Sequence, residues 1–389
     1  MLTEDVVVAV RSLARRPLAA DDALALDVIT ELDGLASIGA EWDRLVFTST
    51  RYRPQASHAY VASYLEHLRS PDTPWACIVA RRRGALVGVL PFMAAARHLD
   101  GESLEADIVV AAGDEARVTS ALLAALEEAA PGWIALRLGD LPESSPTVDQ
   151  SGRAGGHPIL LTPSGRASYL VLPATYDAYL ATLPSHVRHN LRRQTRRLFE
   201  MPGAEVEHVA ASEATEAHLD AYIAVEASGW KAREDGGNAI ARRTALTAYY
   251  RATVSRLAGA GALSWALLRA EGRVIAAMLM ERVGDRLVLE KISYDESFSR
   301  VAPGSVLVGL VLERAIRSGE ITEVDFVTDQ PWHRRWATQT RLLYDVGIYG
   351  RSLRALMPWY VVGVARRARR DAPVPEAQIE VKNQRDASK

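Results

Sequence analysis

The stretch LSWALLRAEGRVIAAMLMERVGDRLVLEKISY, residues 263–294, decides the fold class. Two largely apolar runs, 263–269 and 274–283, flank Glu271-Gly272, a two-residue sequence typical of a β-hairpin turn. Gly284-Asp285 marks a second turn and leads into a third run over 286–294. The pattern therefore predicts three consecutive antiparallel strands.

A helix follows these strands. Pro303-Gly304 opens a run with apolar residues at helical spacing, and Gly319 closes it as the residue after the helix. Further periodicity predicts strands at 169–172, 204–209, 324–327 and 341–349, and helices at 176–199, 212–228, 242–258 and 332–338.

The first half has the same order of elements. It contains predicted strands at 25–30, 75–81, 85–93, 104–110 and 133–138, and predicted helices at 38–45, 57–68 and 118–129. A loop rich in Pro, Ser and Gly over 141–165 separates the halves. Two copies of one α/β unit with a mixed sheet are the simplest account, although no residue-level repeat is visible. The predicted organisation is an extension (1–24), a first domain (25–165), a second domain (166–350) and a tail (351–389).

Composition excludes several classes of protein. A chain of 389 residues is longer than one core usually organises, and 48% hydrophobic with 24% charged residues is typical of soluble globular proteins. The single Cys77 cannot form an intrachain disulfide, and no apolar run approaches the roughly 18 to 20 residues that span a bilayer. Because Glu4 and Asp5 stand where a signal peptide carries positive charge, we expect a cytoplasmic protein.

Charge is distributed unevenly along the chain. Residues 1–185 carry a formal charge of -8 and residues 186–389 one of +6, so an anionic ligand should favour the second half. Arginine replaces lysine almost everywhere, and Lys231 and Lys291 are the only lysines before the polar tail. Each is either a surface residue or a site that needs a compact ammonium group.

Three blocks carry a resemblance to a known family. The helix LPSHVRHNLRRQTRRL (183–198), the turn YDESFSRVAPG (294–304) and the segment VDFVTDQPWH (324–333) resemble motifs of the BioF2-like, CelD-type acetyltransferases. That family is related to the FemAB aminoacyltransferases and has the GCN5-related N-acetyltransferase (GNAT) fold. The resemblance covers about residues 25–350 and implies tandem GNAT-like domains, with the chemistry in the second and a degenerate first domain forming one wall of the acceptor cleft.

The resemblance implies acetyl-CoA or another acyl-CoA as the acyl donor. In the GNAT fold, backbone amides at the start of the helix after the third strand hold the pyrophosphate, where the helix dipole favours phosphate. The matching loop is Arg300–Ser305, which assigns donor binding to Arg300, Gly304 and Ser305. Pro303 removes one amide donor from this loop, so the alternative is an ordinary Pro-Gly turn that starts a helix.

N-acyl transfer needs a base for the attacking amine and no side-chain nucleophile. Glu290, on the strand that carries a base in many GNAT enzymes, and Asp295 are the two candidates, and either could instead order the turn. Strict strand alternation puts Glu290 on the face opposite to Lys291, with Leu289 and Ser293 on the face of Lys291.

The other assigned residues are candidate acceptor contacts. Arginines at i, i+4 and i+8 form one helical stripe with no acidic residue between Asp177 and Glu200, which suits either a solvated face or a phosphate-bearing acceptor. Histidines lack metal-ligand spacing, so no metal is expected. The predicted substrate contacts are Arg188, Arg192, Arg196, Trp230, Lys231, Lys291, Asp329 and His333, where His333 stands in place of the family's usual lysine.

The resemblance thus implies transfer of an acyl group to an amine of a cell-envelope sugar, polysaccharide precursor or related metabolite. One alternative is a FemAB-type transferase that uses aminoacyl-tRNA. Another is a non-catalytic assembly module in polysaccharide synthesis. The apolar run before the arginines of segment 353–370 predicts either contact with an anionic membrane surface or packing onto the second domain.

Overall fold

The computed structural model describes residues 23–95, 98–101, 103–149, 155–229, 239–352 and 355. These residues form two compact units. Of the described residues, the first contains those up to Gly165 together with those from Leu342 to Ala355, and the second contains those within Arg166–Arg341. A unit made of two separate stretches of chain is a feature that the sequence did not predict.

The first unit is a mixed sheet with helices on both faces. Its strands pair in the order β1-β2-β3-β4-β6, with β5 on β3, and only the β4–β6 pair is parallel. The strands are Leu24–Ile29 (β1), Trp75–Arg82 (β2), Ala85–Ala95 (β3), His98–Asp100 (β4), Val109–Val110 (β5) and Ala135–Pro142 (β6). The helices are Leu32–Ser37 (α1), Gly39–Phe47 (α2), His58–His67 (α3), Glu115–Ala129 (α4) and Pro146–Asp149 (α5).

Strand alternation gives the first sheet two apolar faces. Ile78 of β2 belongs to a core with Leu122 of α4, whereas Cys77 belongs to a second core with Trp42 of α2 and Leu65 of α3. Successive residues of a strand point to opposite faces, so a continuously apolar β2 is buried on both sides.

The second unit repeats this plan. Its strands pair in the order β7-β12-β11-β10-β9-β8, and only β11–β12 is parallel. The strands are Ile159–Val171 (β7), of which the residues from Arg166 onward belong to this unit, Glu205–Ala210 (β8), Leu263–Ala270 (β9), Arg273–Val283 (β10), Arg286–Tyr294 (β11) and Glu323–Asp325 (β12). The helices are Tyr176–Thr182 (α6), Ser185–Phe199 (α7), Glu216–Ala227 (α8), Thr244–Gly259 (α9) and Pro303–Ser318 (α10).

Different helices cover the two faces of the second sheet. Met278 of β10 packs in a core with Leu307 of α10 and Leu198 of α7. On the other face, Tyr222 of α8 contacts Trp265 of β9, with ring centroids 6.0 Å apart. We call these the α10 face and the α8 face.

The last strand, Gln339–Tyr349 (β13), does not complete the second unit. From Leu343 to Tyr349 it pairs antiparallel with β6 of the first unit. Within the second unit, the end of β7, Tyr169–Val171, pairs antiparallel with β12. In each unit, therefore, the strand after the long helix pairs with a strand distant in sequence. In the first unit β6 follows α4 and pairs with β13, and in the second β12 follows α10 and pairs with β7.

The predicted α/β class with two GNAT-like units is confirmed. In both units a helix leads to a strand that joins its sheet in parallel, α4 to β6 and α10 to β12. Gly319 has a φ of 67° as the residue that ends α10, as the sequence predicted.

Three predicted elements are wrong in detail. The predicted helix 176–199 is two helices, because Leu183 is extended (φ -77°, ψ 144°) before Pro184, whose ring disfavours helical geometry in the preceding residue. The predicted strand 104–110 is a strand only at Val109–Val110, and the short β4 precedes it. The predicted loop 141–165 contains α5 and the first residues of β7.

Candidate functional site

The two parallel strands of the second unit separate after a short pairing. β11 pairs with β12 only from Arg286 to Val288, and β12 ends at Asp325. Phe326 then donates its N–H to Ser168 O, on the side away from β11. The remaining part of β11, residues 289–294, therefore has no paired strand on its β12 side among the described residues, and we call this strand edge the opening.

A β-bulge lies at the start of this opening. Leu279 of β10 is paired with Lys291, and the next residue, Met280, is paired with Leu289, so that Glu290 is an extra residue on β11. A bulge bends its strand and interrupts the ladder locally. This feature places Glu290 at the point where β11 leaves β12.

The bulge also changes which side chains share a face. Leu289 and Ile292 pack against the core of the α10 face. Lys291 and Ser293 are paired with Leu279 and Ala277, and they lie on the α8 face, where Ser293 contacts Tyr222. The predicted grouping of Leu289 with Lys291 is wrong, because strict alternation does not hold across an inserted residue.

Asp295, the second candidate base, orders the turn after β11. Its Oδ1 accepts hydrogen bonds from Ser297 N at 2.9 Å and Ser297 Oγ at 2.7 Å. Its Oδ2 lies 3.1 Å from Arg273 Nη1 in an ion pair, and the side chain is 10% exposed. These partners fix the carboxylate as the cap of the 3₁₀ helix at Glu296–Val301.

The first turn of α10 follows this 3₁₀ helix. Ala302 has a φ of 50°, and Pro303 is the first helical residue, which suits its fixed φ and missing N–H. The N–H groups of Gly304 and Ser305 point out of the helix start without an intrahelical acceptor. Arg300, in the preceding 3₁₀ helix, is exposed, and its side chain makes no hydrogen bond or ion pair with a residue that the structure describes.

Close packing favours glycine at position 304. A Cβ atom at this position would lie 3.0 Å from Cδ1 of Tyr294, the last residue of β11. The absence of a side chain lets the aromatic ring lie against the start of α10.

Arg335 also reaches the first turn of α10. Its Nη1 donates to Ser305 Oγ at 3.0 Å, and its Nε donates to Trp332 O at 3.1 Å. Sequence reasoning missed this residue, although the basic pair Arg334-Arg335 directly follows the third family-like block. With Arg300 it brings a second guanidinium group to the helix start.

His333 and Asp329 hold the segment between β12 and Arg335. His333 is 2% exposed, accepts a hydrogen bond from Gln330 N at 3.2 Å and stacks against Phe326, with ring centroids 4.9 Å apart. Burial of the imidazole has the largest influence on its pKa and lowers the pKa of His333 to about 4. Asp329 accepts a hydrogen bond from Ser168 Oγ at 2.8 Å. In this structure both side chains position the segment that carries Arg335.

The arginine helix, α7, divides its residues between two roles. Arg188 donates to Leu180 O at 3.1 Å and to Leu183 O at 2.6 Å, and so ties α7 to the end of α6. Arg192 and Arg196 are exposed, and Arg196 lies 3.8 Å from Glu200 in a solvated ion pair. Of the predicted stripe, these two side chains face solvent. Trp230 and Lys231, also predicted to contact substrate, lie outside the described residues.

The described residues show neither a metal-binding cluster nor a membrane-spanning helix. They contain no group of three or more His, Cys, Asp or Glu side chains that could hold a metal ion. Among them, no helix has the length and apolar character needed to cross a membrane.

Comparison with known proteins identifies the domain that contains this opening. Residues 185–334 match the family model described as an acetyltransferase (GNAT) domain. No curated protein matches the sequence. The chain is therefore an acyltransferase of the GNAT fold, with the matched domain in the second unit.

Solved structures support the fold. FemX is similar with a TM-score of 0.57 and 12% identity, over 79% of this chain and 95% of that one. The C-terminal domain of a putative lysylphosphatidylglycerol synthetase from Agrobacterium fabrum is similar with a TM-score of 0.52 and 12% identity, over 83% of this chain and 94% of that one. At such identity these likenesses concern the fold alone.

Proposed function

We propose that this protein transfers an acyl group from acyl-CoA to an amine of a cell-envelope sugar, a polysaccharide precursor or a related metabolite. The observation that carries the proposal is the opening along residues 289–294 of β11, which leads directly to the first turn of α10. An extended acyl-pantetheine chain fits beside a strand edge, and a pyrophosphate suits the helix start.

The first turn of α10, the proposed donor site, presents the positive charge that a diphosphate group needs. Gly304 N–H and Ser305 N–H, the positive end of the α10 dipole, and the guanidinium groups of Arg300 and Arg335 all favour phosphate. Pro303 supplies no amide, and Arg335 adds a cation to the same turn. This set supports binding of the diphosphate of coenzyme A.

The reaction centre belongs at the bulge. There the amine nitrogen attacks the thioester carbonyl carbon, the C–S bond breaks, and negative charge develops on the carbonyl oxygen. Backbone N–H groups of β11 outside the ladder are suitable donors to that oxygen. Of the two candidate bases, Glu290 lies at this point, whereas Asp295 is engaged with Ser297 and Arg273.

Lys291, Arg192 and Arg196 are the proposed acceptor contacts among the described residues. Lys291 lies on the α8 face next to the bulge, with its Nζ 4.9 Å from the ring centroid of Tyr250. Arg192 and Arg196 present exposed cations on α7. An acceptor that carries phosphate, such as a nucleotide sugar or a lipid phosphate, would suit these charges. The three sequence blocks further support membership of the BioF2-like, CelD-type branch.

Calorimetry on the full chain tests the donor assignment. We expect heat on titration with acetyl-CoA or a longer acyl-CoA, and a weaker affinity for Arg300→Ala. Release of free thiol from the bound acyl-CoA on addition of glucosamine would establish transfer. If millimolar acetyl-CoA and longer acyl-CoAs give no heat, the CoA assignment is wrong.

A FemAB-type transfer from aminoacyl-tRNA is the second candidate function. The likeness of the fold to FemX and the exposed Arg192 and Arg196 favour it. Thermal shift with aminoacyl-tRNA and acetyl-CoA in parallel distinguishes the two, since a ligand stabilises the protein that binds it. Stabilisation by neither would favour the non-catalytic assembly module.

Membrane contact through residues 353–370 is a further part of the proposal. Apart from Ala355, this segment lies outside the described residues. Its apolar run and the four arginines that follow the run, Arg366, Arg367, Arg369 and Arg370, support contact with anionic lipid. Sedimentation with anionic vesicles, comparing the full chain with one ending at Arg351, tests it, and equal binding by both would reject it.

A further inference from the structure

We propose that Ser293, Tyr222 and Glu226 form a path that carries the proton of the attacking amine to the Glu226 carboxylate. The proposal rests on the acyl transfer proposed above. Ser293 Oγ donates a hydrogen bond to Tyr222 OH at 3.2 Å, and Tyr222 OH donates to Glu226 Oε1 at 3.2 Å. Tyr222 and Glu226 lie one helical turn apart on α8, and Ser293 is the next-to-last residue of β11.

The direction of these hydrogen bonds suits proton uptake. Glu226 Oε1 accepts the hydrogen bond of Tyr222 OH, so the single hydroxyl proton of Tyr222 lies toward Glu226. Ser293 must then be the donor to Tyr222 OH, and its oxygen keeps lone pairs for an incoming proton. Both bonds run from the strand toward the carboxylate. At 3.2 Å both are longer than a typical O–H···O hydrogen bond, and catalytic hydrogen bonds often tighten only when substrate binds.

The path is buried along its length. Tyr222 is 1% exposed, Glu226 3% and Ser293 7%. Burial raises the pKa of Tyr222, so the phenol stays neutral and passes a proton on without storing a charge. The charged and titratable groups that act on Tyr222 are Lys291 on β11, Glu226 on its own helix and Tyr250 on α9. By strand alternation from Ala277 and Leu279, the buried Glu281 of β10 lies on the same face of the sheet.

Ser293 lies at the right place to receive a proton. It belongs to the part of β11 that borders the opening, two residues after Lys291 and on the same face. An amine held on this face near the bulge would therefore approach its hydroxyl group. Glu290, in contrast, is the extra residue of the bulge itself.

The proton balance of the step is complete. An acceptor that arrives as an ammonium ion gives one proton to Ser293 Oγ, while Ser293 gives its own to Tyr222 and Tyr222 gives its own to Glu226. The free amine nitrogen then bonds to the thioester carbonyl carbon, and the C–S bond breaks. The sulfur leaves with the electron pair and takes the second proton from nitrogen. The products are the amide, the CoA thiol and a protonated Glu226, which returns its proton to water.

Glu226 also has a structural contact. Its Oε2 accepts a hydrogen bond from Ile240 N at 2.7 Å, near the point where the described chain resumes at Ala239. A purely structural role would affect stability and leave the pH dependence of the reaction unchanged. The test therefore uses the other two members of the path, where this contact is kept.

The experiment compares Tyr222→Phe and Ser293→Ala with the wild-type full chain. Thiol release from acetyl-CoA is measured against pH, with glucosamine as acceptor. We expect kcat to fall about 10- to 100-fold near neutral pH and to recover as the pH rises, because solution then supplies the unprotonated amine. Affinity for acetyl-CoA, measured by calorimetry, should not change. Hydroxylamine, an amine already unprotonated at neutral pH, should react equally well with variants and wild type.

Tyr52→Phe is the matched control. It removes a hydroxyl group with hydrogen bonds from a buried tyrosine of the first unit, 1% exposed, and should leave the pH profile unchanged. Should Tyr222→Phe fail to fold, Ser293→Ala still breaks the path at its entrance.

Two results would overturn the path. One is a wild-type pH profile in both variants, and the other is an equal loss of rate at every pH or with both amines. A shift of the profile in Glu290→Gln alone would assign the base to Glu290. Absence of thiol release in the wild type is a different outcome, since it rejects acyl transfer itself.

Discussion

Arg335 Nη1 donates a hydrogen bond to Ser305 Oγ at 3.0 Å, and this contact joins the segment after β12 to the first turn of α10, the helix after β11. The two strands part after Val288, yet the segments that follow them meet again. The opening is thus bounded at its far end by a fixed positive group. Four predictions test this site and its supports.

Arg335→Ala should weaken acyl-CoA binding about tenfold at low salt. Loss of one charge-assisted hydrogen bond to phosphate costs about 1.5 kcal/mol, which corresponds to roughly that change in Kd. Calorimetry at two salt concentrations measures it. Arg317→Ala is the control, because Arg317 lies at the other end of α10 in an exposed pair with Glu313. An equal effect of both substitutions would mean that the change reflects general charge.

Gly304→Ala adds only one methyl group, yet it should disturb the start of α10. The new Cβ would lie 3.0 Å from Tyr294 Cδ1, so the ring at the end of β11 must move. We expect several-fold weaker acyl-CoA binding and a small decrease in Tm. Gly259→Ala, at the end of α9 with no atom within 4 Å of the added Cβ, should change neither. Unchanged affinity in Gly304→Ala would show that Tyr294 does not border the donor.

Arg188→Ala should lower stability, whereas Arg192→Ala and Arg196→Ala should not. Arg188 satisfies Leu180 O and Leu183 O at the end of α6, and removal of a charged donor costs about 1.5–3 kcal/mol. Exposed ion pairs contribute little. Thermal unfolding of the three variants measures the difference. A loss of stability in Arg192→Ala equal to that in Arg188→Ala would contradict the division of roles on α7.

His333 should make the protein sensitive to acid. Its folded-state pKa of about 4 lies below the value of 6.5 for an unperturbed imidazole, so the unfolded chain binds the proton first as the pH falls. The stability it contributes is present above pH 6.5 and is lost as the pH falls toward 4, by about 3 kcal/mol. Denaturant unfolding of wild type and His333→Asn across this range measures it. Parallel curves for the two proteins would contradict the prediction.

The sequence predicted the strands and the long helix of the second unit well, because their signals are local. Gly284-Asp285 and Pro303-Gly304 mark a turn and a helix start within a few residues. The spacing of apolar residues, with a period of 2 in strands and 3.6 in helices, indicates the elements between such signals. Even the break in the predicted helix 176–199 had a local signal in Pro184.

The site itself depends on relationships between distant residues. The bulge at Glu290 exists only in the register of β11 against β10, so alternation along β11 could not predict it. The contact of Arg335 with Ser305 spans 30 residues, and that of Ser293 with Tyr222 spans 71. Spacing along α7 indicated Arg188 as a substrate contact, whereas in the fold its guanidinium group donates to Leu180 O and Leu183 O at the end of α6.

The return of β13 to β6 has a consequence for synthesis on the ribosome. The edge of β6 stays without its partner until Leu343–Tyr349 emerge, about 200 residues after Pro142. At bacterial or eukaryotic rates of translation this interval lasts roughly 10 to 40 seconds. An unpaired strand edge invites pairing with other chains. The first unit, although made first, is therefore finished last, and a nascent chain stopped before Leu342 leaves an edge prone to aggregation.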